Sequence, residues 1–532
     1  MLRTFGRLFL FGALMGALGE LCSIEFPTVR FPFSLSREIG FLHADLEGGT
    51  TFPWFGWLAI LVSLGIGILI ELIFAKGFRF TPITLRRIER FKSIKRGYYS
   101  LLVIFVLAAV ASLDHLLVGN EALAVKHNGE WSFPAFTREI EKGNVFGIQG
   151  DEGQGPPNYR ELQTNTDKGD DNHVIMPLLP YAPTGDTITA VSTELEVSEN
   201  GLATDGGKPF SGLAAKIYDP SQPERMHLRF RFREGRKDGP ADGWDSDGAR
   251  VYGGAYSTGE LVEGSESWNG TGDLATFLGQ DSGELRQVHF PPSPPTWDSE
   301  QTHPLGTNSK GYDVLAYLFG GLQVNFKAAI VYIPLVYALG ISIGLLMGFF
   351  GGTFDLIVQR LIEILSNIPF LFVVMIASTA IPERLKETAG LWIIIGILLL
   401  FGWMGMTYLM RTAALKEKAR DYIAASRVIG ASTPRILFRH LLPNSVAIIV
   451  TLVPFSVSSL VLALTSLDYL GFGLPAKYAT WGQLLRDGLD NLSSPWLVTS
   501  SFLVLVGLLI LITFVGEAVR EAFDPKKFSY YR

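Results

Sequence analysis

The sequence predicts an α-helical membrane protein that crosses the bilayer many times and carries a polar, β-rich domain on one side. The first observation is composition: 48% of the 532 residues are hydrophobic, and 37 are phenylalanine. The second is that several apolar runs reach about 20 residues, the length that crosses a bilayer. The third is uneven charge, because residues 120–310 hold 30 acidic and 16 basic side chains while the remainder holds 21 and 29. This asymmetry indicates an acidic domain on the opposite side of the membrane from the basic loops.

Eight apolar runs fit membrane spans. In chain order they cover residues 4–22, 55–75, 99–118, 326–350, 357–381, 389–410, 443–466 and 496–517. Basic residues that flank spans stay in the cytoplasm, and residues 76–96 carry the strongest such signal, with eight basic residues and only Glu89 acidic. This orientation places the N-terminus, the linker up to residue 98, the loop 411–442 and the tail 519–532 in the cytoplasm.

Residues 119–325 form the predicted external domain. HLRFRFR at 227–233 alternates apolar residues with arginines, and this period of two is typical of a half-buried strand. TAVSTELEV and ARVYGGAYS are weaker strand candidates. The stretches 143–157 and 238–248 are rich in Gly, Asp and Pro and predict loops. PPSPP at 291–295 predicts a stiff, extended linker.

Several kinds of site are not predicted. The single cysteine, Cys22, excludes an intramolecular disulfide. The nearest match to a phosphate-binding loop, GGKP at 206–209, lacks the required Ser or Thr. DGWDSDG at 242–248 resembles a calcium loop, but Gly243 and Gly254 occupy ligand positions. We therefore expect no catalytic, cofactor or metal site, and the basic residues indicate membrane orientation rather than nucleic-acid binding.

Four charged residues lie close to span ends. Asp355, Arg360 and Glu363 stand at the entrance to one predicted span, and Asp468 follows another. Charged groups within a membrane mark transport pathways, whereas those at span ends are more often interfacial anchors. We predict that all four are anchors.

The loop 411–442 is the candidate functional segment. Ala424, Ala425 and Ser426 are small, so another backbone can approach them closely. Gly430 permits a sharp bend between two short helices. A helix that lies across the membrane surface between two spans can pass a movement of a cytoplasmic partner into those spans. The alternative is a basic loop that only determines orientation.

The second of these short helices has its own start signals. Pro434 suits the first turn of a helix, with Ser432 or Thr433 as its N-cap. Arg435, which comes next, is included in the predicted docking segment.

This stretch resembles the EAA loop of binding-protein-dependent ABC importers, the cytoplasmic segment that docks on ATPase subunits. Within these importers it is similar to the dipeptide/oligopeptide permease family. The motif positions that match are Ala425, Gly430, Leu442 and Pro443, and those that differ are Ala424 for glutamate, Ser426 for alanine and His440 for isoleucine. Without the glutamate, the resemblance implies docking by shape more than by a defined charge pair.

Further stretches resemble the same family. HPLGTNSKGYDVLAYLFGG at 303–321 is similar to its LGTDxxGRDVL segment, and SLDYLGFGLPAKYATWGQLL at 466–485 to its SLSFLGLGxxPPxPxWGxML segment. Details such as KHNGEWSFP and FVGEAVREAFDP resemble one subgroup, the inner-membrane permease of the microcin-C-type oligopeptide importer. The resemblance covers about 85–188 and 289–530, so the first two spans and about 190–288 are additions.

The resemblance implies a six-span permease core (about 99–518) with two extra N-terminal helices and a β-rich periplasmic insertion in a bacterial inner membrane. Its partners would be a second permease subunit, cytoplasmic ATPase subunits that bind ATP, and a periplasmic solute-binding protein. The chain would be a transport subunit for peptides or peptide-like compounds, and not an enzyme. One alternative keeps this machinery with nickel, an opine or another small solute as cargo. The other, from a different class, is a membrane-anchored periplasmic sensor or binding protein.

Overall fold

The structure is a computed structural model that describes residues 2–524 with gaps. The gaps are residues 28, 39–43, 46–50, 76–81, 138–141, 147–156, 167–172, 185–189, 199–201, 206–207, 218–225, 246–249, 271–272, 280–284, 290–291 and 298–301. The chain divides into two compact units. The helical unit joins Met1–Gly185 to Asp313–Arg532, and the sheet unit is Asp186–Tyr312.

Helices dominate the chain. In chain order they are α1 (Leu2–Cys22), α2 (Phe31–Glu38), α3 (Trp54–Ala75), α4 (Pro82–Ser93), α5 (Lys95–Ser112), α6 (Tyr159–Thr166), α7 (Leu274–Leu278), α8 (Val314–Phe350), α9 (Gly352–Ser366), α10 (Phe370–Ala380), α11 (Glu383–Lys418), α12 (Asp421–Val428), α13 (Thr433–Ile436), α14 (Leu442–Tyr469), α15 (Trp481–Asp490) and α16 (Pro495–Phe523). A π-helical turn, Leu437–Leu441, joins α13 to α14.

Within the described residues, six helical segments are long and apolar enough to cross a membrane, or seven if the bent pair α9 and α10 counts as one span. The six lie in α3, α5, α8, α11, Thr433–Tyr469 and α16. The sequence predicted eight spans. The helix that would bring the number to eight, α1, occupies the predicted 4–22, but its side chains are described only from Gly6 onward, so the number of spans stays a prediction.

Several predicted boundaries differ from those in the structure. Helix α8 begins at Val314, so residues 314–325 of the predicted external domain are helical. The side chain of Asp313 caps this earlier start, because its Oδ1 accepts a hydrogen bond from the Ala316 N–H at 2.7 Å. Helix α11 likewise continues to Lys418, so residues 411–418 of the predicted loop are helical. Hydropathy marks where the apolar run ends, whereas a helix continues into polar residues for as long as its backbone stays bonded.

The predicted span 357–381 is interrupted. Helices α9 and α10 meet at an angle of 74° across residues 367–369. Pro369 is the N-cap of α10. Proline has no N–H to donate and disfavours helical geometry in the residue before it, so a straight helix ends here.

Helices α8 and α11 form the centre of the helical unit. Gly344 and Gly348 of α8 face α11 so closely that an added Cβ would lie 2.5 Å from the Thr407 carbonyl oxygen and from the Ala414 Cβ, respectively. Small residues at a spacing of four allow this approach of two helix backbones in a membrane. The two long helices thereby form a rigid frame for the loop that follows α11.

The N-terminal helices are attached to this frame by charged side chains. Arg30 donates to Glu25 at 2.6 Å and to Asp114 at 2.9 Å, and Asp114 also accepts from Gln323 of α8 at 2.8 Å. Burial alone would raise the pKa of Asp114, but the neighbouring His115 ring, the charge of Arg30 and the hydrogen bond from Gln323 lower it below its usual range. The Asp114 carboxylate is therefore held ionised as the centre of this junction.

Short strands complete the chain. In order they are β1 (Ala44–Asp45), β2 (Thr51–Phe52), β3 (Ala124–His127), β4 (Glu130–Ser132), β5 (His173–Ile175), β6 (Ala190–Glu194), β7 (Glu196–Val197), β8 (Ala203–Asp205), β9 (Lys208–Pro209), β10 (Gly212–Ile217), β11 (Met226–Arg233), β12 (Arg236–Trp244), β13 (Arg250–Ser257), β14 (Glu260–Leu261), β15 (Ser267–Trp268), β16 (Arg286–His289), β17 (Thr296–Trp297) and β18 (Thr302–His303). The main sheet of the sheet unit has the order β14-β13-β12-β11-β10-β16-β6, and β15 pairs with β13.

The alternation in HLRFRFR is confirmed as strand β11. Leu228, Phe230 and Phe232 are buried in the core of the sheet unit, and the intervening arginines are half-buried or exposed. The predicted loop 238–248 is wrong over its described first part, because β12 continues to Trp244. Pairing with β11 on one side and β13 on the other supports this Gly- and Asp-rich strand. Of the predicted loop 143–157, residues 147–156 lie outside the described residues.

The first and last strands of the main sheet, in chain order, are neighbours. Strands β6 and β16 pair in antiparallel fashion, with Val288 opposite Val191 and His289 opposite Ala190. The chain therefore enters and leaves this sheet on adjacent strands.

Candidate functional site

The predicted loop consists of two short helices, α12 and α13, with a sharp bend between them. Gly430 has φ of +84°, in the left-handed region that favours glycine, and it ends α12 as predicted. Ser432 is the N-cap of α13 without a side-chain hydrogen bond, and Pro434 lies in its first turn. The predicted helix starts and the glycine bend are thus confirmed.

The inner face of the loop is packed into the helical unit. Ile423, Ile436 and Leu441 are each at most 2% exposed. They belong to one apolar cluster with Phe349 at the end of α8 and Met410 of α11. The loop is therefore a fixed part of the bundle and not a flexible connection.

Tyr422 fastens the loop to the two long helices beside it. Its hydroxyl donates to the Glu417 Oε2 atom at 2.6 Å and accepts from the Asn444 Nδ2 atom at 2.8 Å. Burial, together with the hydrogen bond to Glu417, raises the pKa of Tyr422. Lys418 adds a hydrogen bond of 2.5 Å to the Phe349 carbonyl oxygen. The end of α11 and the start of α14 are thus joined through one side chain, which the motif did not identify.

The outer face of the loop exposes large apolar side chains. Val428, Ile429 and Phe438 are 88%, 85% and 66% exposed. Ala424, Ala425, Gly430 and Arg435 are also exposed. We call these seven residues the outer face. Its apolar members were missed in the sequence, although a Val-Ile pair directly before the bend glycine is a usable signal.

The other predicted docking residues lie differently. His440 is half-buried, and its ring centre lies 6.2 Å from that of Tyr422. Leu442 is half-buried and Pro443 is exposed, and both stand in the first turn of α14. The structure therefore places Ala424, Ala425, Gly430 and Arg435 together in the exposed part of the loop, with His440 and Leu442 partly covered.

The four charged residues predicted as interfacial anchors divide into two groups. Arg360 and Glu363 form an ion pair of 2.5 Å in which Arg360 is exposed. Asp355 is instead buried and paired with Arg411 of α11, and Asp468 is buried and accepts from the Leu474 N–H at 2.7 Å. The anchor prediction is wrong for these two, because their carboxylates are satisfied inside the protein.

A cavity of about 440 Å³ lies between α8, α10, α11 and α14. Aromatic rings of Phe370, Phe401 and Phe455 line it. The one hydrogen-bonded hydroxyl pair in its lining that the structure records joins Tyr337 and Ser456 at 2.9 Å. Such a lining suits an apolar group that carries a few polar atoms. No group of three or more His, Cys, Asp or Glu side chains in the described residues could hold a metal ion.

The loop and most of the residues that line the cavity lie in a segment that matches a known family. The family model described as "Binding-protein-dependent transport system inner membrane component" matches residues 340–529. The peptidoglycan transport system permease protein YejE of Agrobacterium fabrum is 37% identical over 223 residues, which cover 42% of this chain and 57% of that protein. The inner membrane ABC transporter permease protein YejE of Escherichia coli is 38% identical over 237 residues, 44% of this chain and 66% of that protein. The chain thus spans less than two thirds of either relative.

A third relative is matched over more of its length. The dipeptide transport system permease protein DppC of Haemophilus influenzae is 31% identical over 237 residues, which cover 44% of this chain and 78% of that protein. The predicted resemblance to the dipeptide/oligopeptide permease family is confirmed, and the microcin-C-type subgroup stays a prediction. The chain belongs to the family of binding-protein-dependent transport system inner membrane components.

Proposed function

We propose that the chain is the transmembrane permease subunit of an ATP-driven importer that moves peptides or peptide-like compounds across the bacterial inner membrane. The observation that carries this proposal is the two-sided loop between α11 and α14. Its inner face is packed into the bundle and its outer face exposes Val428 and Ile429. Large exposed apolar side chains beside basic ones are typical of a protein interface.

The partner at the outer face is an ATPase subunit in the cytoplasm. Ala424 and Ala425 leave room for a close backbone approach, and Val428 and Ile429 supply apolar area. Arg435 adds positive charge at the rim, which favours fast and oriented association rather than affinity. Since Ala424 replaces the family's glutamate, docking depends on shape and apolar contact.

Movement passes from the loop to the cavity through α14. This helix begins directly after the loop, and its residues Leu452 to Ala463 supply one wall of the cavity. Pro454 lies in the same stretch of α14, where its missing N–H removes one backbone hydrogen bond and creates a place to bend. Closure of the ATPase pair would shift the loop and reposition this wall of the cavity. That movement is one half of an alternating-access cycle, in which the cavity opens to each side of the membrane in turn. Binding of ATP belongs to the ATPase subunits, and a second permease subunit and a periplasmic binding protein complete the importer.

The proposal is tested by uptake of a radiolabelled tripeptide in cells that lack this chain. The wild-type chain should restore uptake, and Ile429→Asp should not, although it reaches the membrane at the same level. Leu492→Asp is the matched control, because Leu492 is also highly exposed (75%) but lies between α15 and α16, outside the loop. Full uptake with Ile429→Asp would contradict docking at the outer face, and no peptide uptake with the wild type would contradict the peptide cargo.

A further inference from the structure

Helix α4 has a composition that the transport function does not explain. Residues 82–96 contain six basic side chains and a single acidic one, Glu89. The same helix exposes apolar side chains, with Leu85 45% and Ile88 39% exposed, and none of its residues is buried. Residues three apart share one face of a helix, so Leu85 and Ile88 form an apolar stripe.

The position of α4 in the bundle is defined by its contacts. Only Ile94 separates it from α5, which is one of the candidate spans. The Arg87 guanidinium lies 4.7 Å from the ring centre of Phe523, the last residue of α16. The start of α5 and the end of α16 therefore lie beside α4. This places α4 at the depth where a membrane changes from acyl chains to headgroups.

The same end of the bundle carries the start of α14. A cavity there is lined by Arg96, Glu517 and Arg520 together with Ala447 and Thr451 of α14. The loop formed by α12 and α13 leads into α14, so α4 lies at the same end of the helical unit as this loop.

We propose that α4 is an interfacial helix that binds anionic phospholipid headgroups. Leu85 and Ile88 enter the acyl boundary. Arg86 of α4 and Lys95 at the start of α5 contact the phosphates, and Lys92, near the end of α4 on the face of the stripe, reaches them by extending its long side chain; all three are exposed. A basic helix with an apolar stripe binds such a surface through both buried area and charge, and each cationic residue strengthens binding about fivefold. The occupant is a lipid and not a protein because the stripe is fixed at the end of two membrane spans.

Site-directed spin labelling tests the orientation of α4. The chain has one cysteine, Cys22, so Cys22→Ser gives a clean background for labels at Leu85→Cys, Ile88→Cys and Ser93→Cys. In nanodiscs that contain phosphatidylglycerol, labels at 85 and 88 should be accessible to oxygen and protected from a water-soluble nickel chelate. The label at 93, on the polar side, should show the reverse. Equal exposure of all three labels to the nickel chelate would overturn the proposal, and so would protection that requires added ATPase subunits.

A second measurement tests the charge. Arg86→Gln, Lys92→Gln and Lys95→Gln together should reduce the preference for phosphatidylglycerol over phosphatidylcholine by about tenfold or more in native mass spectrometry of the purified chain. The matched control replaces three exposed arginines of the sheet unit, Arg231, Arg233 and Arg236, with glutamine and should leave the preference unchanged. An unchanged preference in the α4 variant would also overturn the proposal. Lipid binding by α4 requires only that the chain is embedded in a membrane, so the outcome of both measurements is independent of the cargo that the chain transports.

Discussion

Arg411 and Asp355 form a two-point ion pair that ties α11 to the first turn of α9. The Arg411 Nε atom lies 2.5 Å from Oδ1, and its Nη2 atom lies 2.6 Å from Oδ2. Only 12% of the Asp355 side chain is exposed. The pair lies two turns before the end of α11, so it holds the broken helix pair α9 and α10 beside the loop that follows.

Removal of one partner should be costly, because it leaves a largely buried charge without its counter-ion. We expect Asp355→Asn to lower the free energy of unfolding by about 3–5 kcal/mol, measured on the purified chain in detergent. Replacing both residues, as Asp355→Leu with Arg411→Met, should recover most of this loss. In the exposed pair of Arg360 and Glu363, Glu363→Gln should cost about 0.5 kcal/mol or less. If Asp355→Asn and Glu363→Gln lowered the free energy of unfolding equally, the pair of Asp355 and Arg411 would not be a structural link between α9 and α11.

Gly430 provides the bend that separates the two loop helices. At φ of +84° a β-branched side chain is strained by about 1–2 kcal/mol, whereas asparagine tolerates this region. We expect Gly430→Val to abolish uptake while the chain still inserts into the membrane, and Gly430→Asn to retain most uptake. Gly507→Val, in a helical and open position of α16, is the control. Normal uptake by Gly430→Val would contradict a coupling role of the bend.

The cavity between α8, α10, α11 and α14 is the proposed section of the transport pathway. Gly405 lines it, and an added Cβ there would meet nothing within 4 Å. Gly405→Trp should therefore project an indole ring into the cavity and strongly reduce uptake, with assembly and ATPase activity retained. Gly507 of α16 lies outside the cavity, and an added Cβ there would also meet nothing within 4 Å, so Gly507→Trp should transport normally. Uptake unaffected by Gly405→Trp would remove this cavity from the pathway.

The main sheet can be excised between its paired first and last strands. Because Ala190 and His289 are opposite each other on β6 and β16, a short Gly-Ser linker can replace residues 190–289 with little change in the distance to be bridged. We expect the shortened chain to keep at least part of its ATP-dependent uptake. Complete loss of function with normal membrane insertion would instead favour a sensor or binding protein whose working part is the sheet.

His227 makes the sheet unit sensitive to acid. Burial against Phe277 lowers the pKa of His227 below its usual 6.5, and the charge of Lys216 lowers it further. The hydrogen bond with the Phe277 backbone has the opposite effect and raises this pKa. The unfolded state then binds more protons, so the stability of the sheet is complete above about pH 6.5 and is lost as the pH falls below it. Hydrogen exchange of β11, corrected for intrinsic rates, should accelerate from about pH 7.5 to about 5.5. His227→Leu should remove this dependence, and a dependence that survives it would assign the effect to another group.

The sequence predicted those features of the site that are determined by residues close together in the chain. The loop position follows from the apolar runs on either side of it and from its basic charge. The bend at Gly430 and the start of α13 follow from local backbone preferences of Gly and Pro. The alternation in β11 is equally local. The β12 strand was missed because its Gly, Asp and Pro residues disfavour a strand individually, and only pairing on both sides stabilises it.

The sequence by itself determined that this is a membrane protein with a basic, bent loop of the importer permease family. Apolar run length, charge asymmetry and short motifs carry that information along the chain. Only the tertiary structure decided that Asp355 is paired with Arg411, that Tyr422 joins α11 to α14, and that Val428 and Ile429 face outward while Ile423 is buried. These are contacts between residues up to 56 positions apart. They depend on helix packing, because packing decides which neighbours bury a side chain and which neighbours pair with its charge.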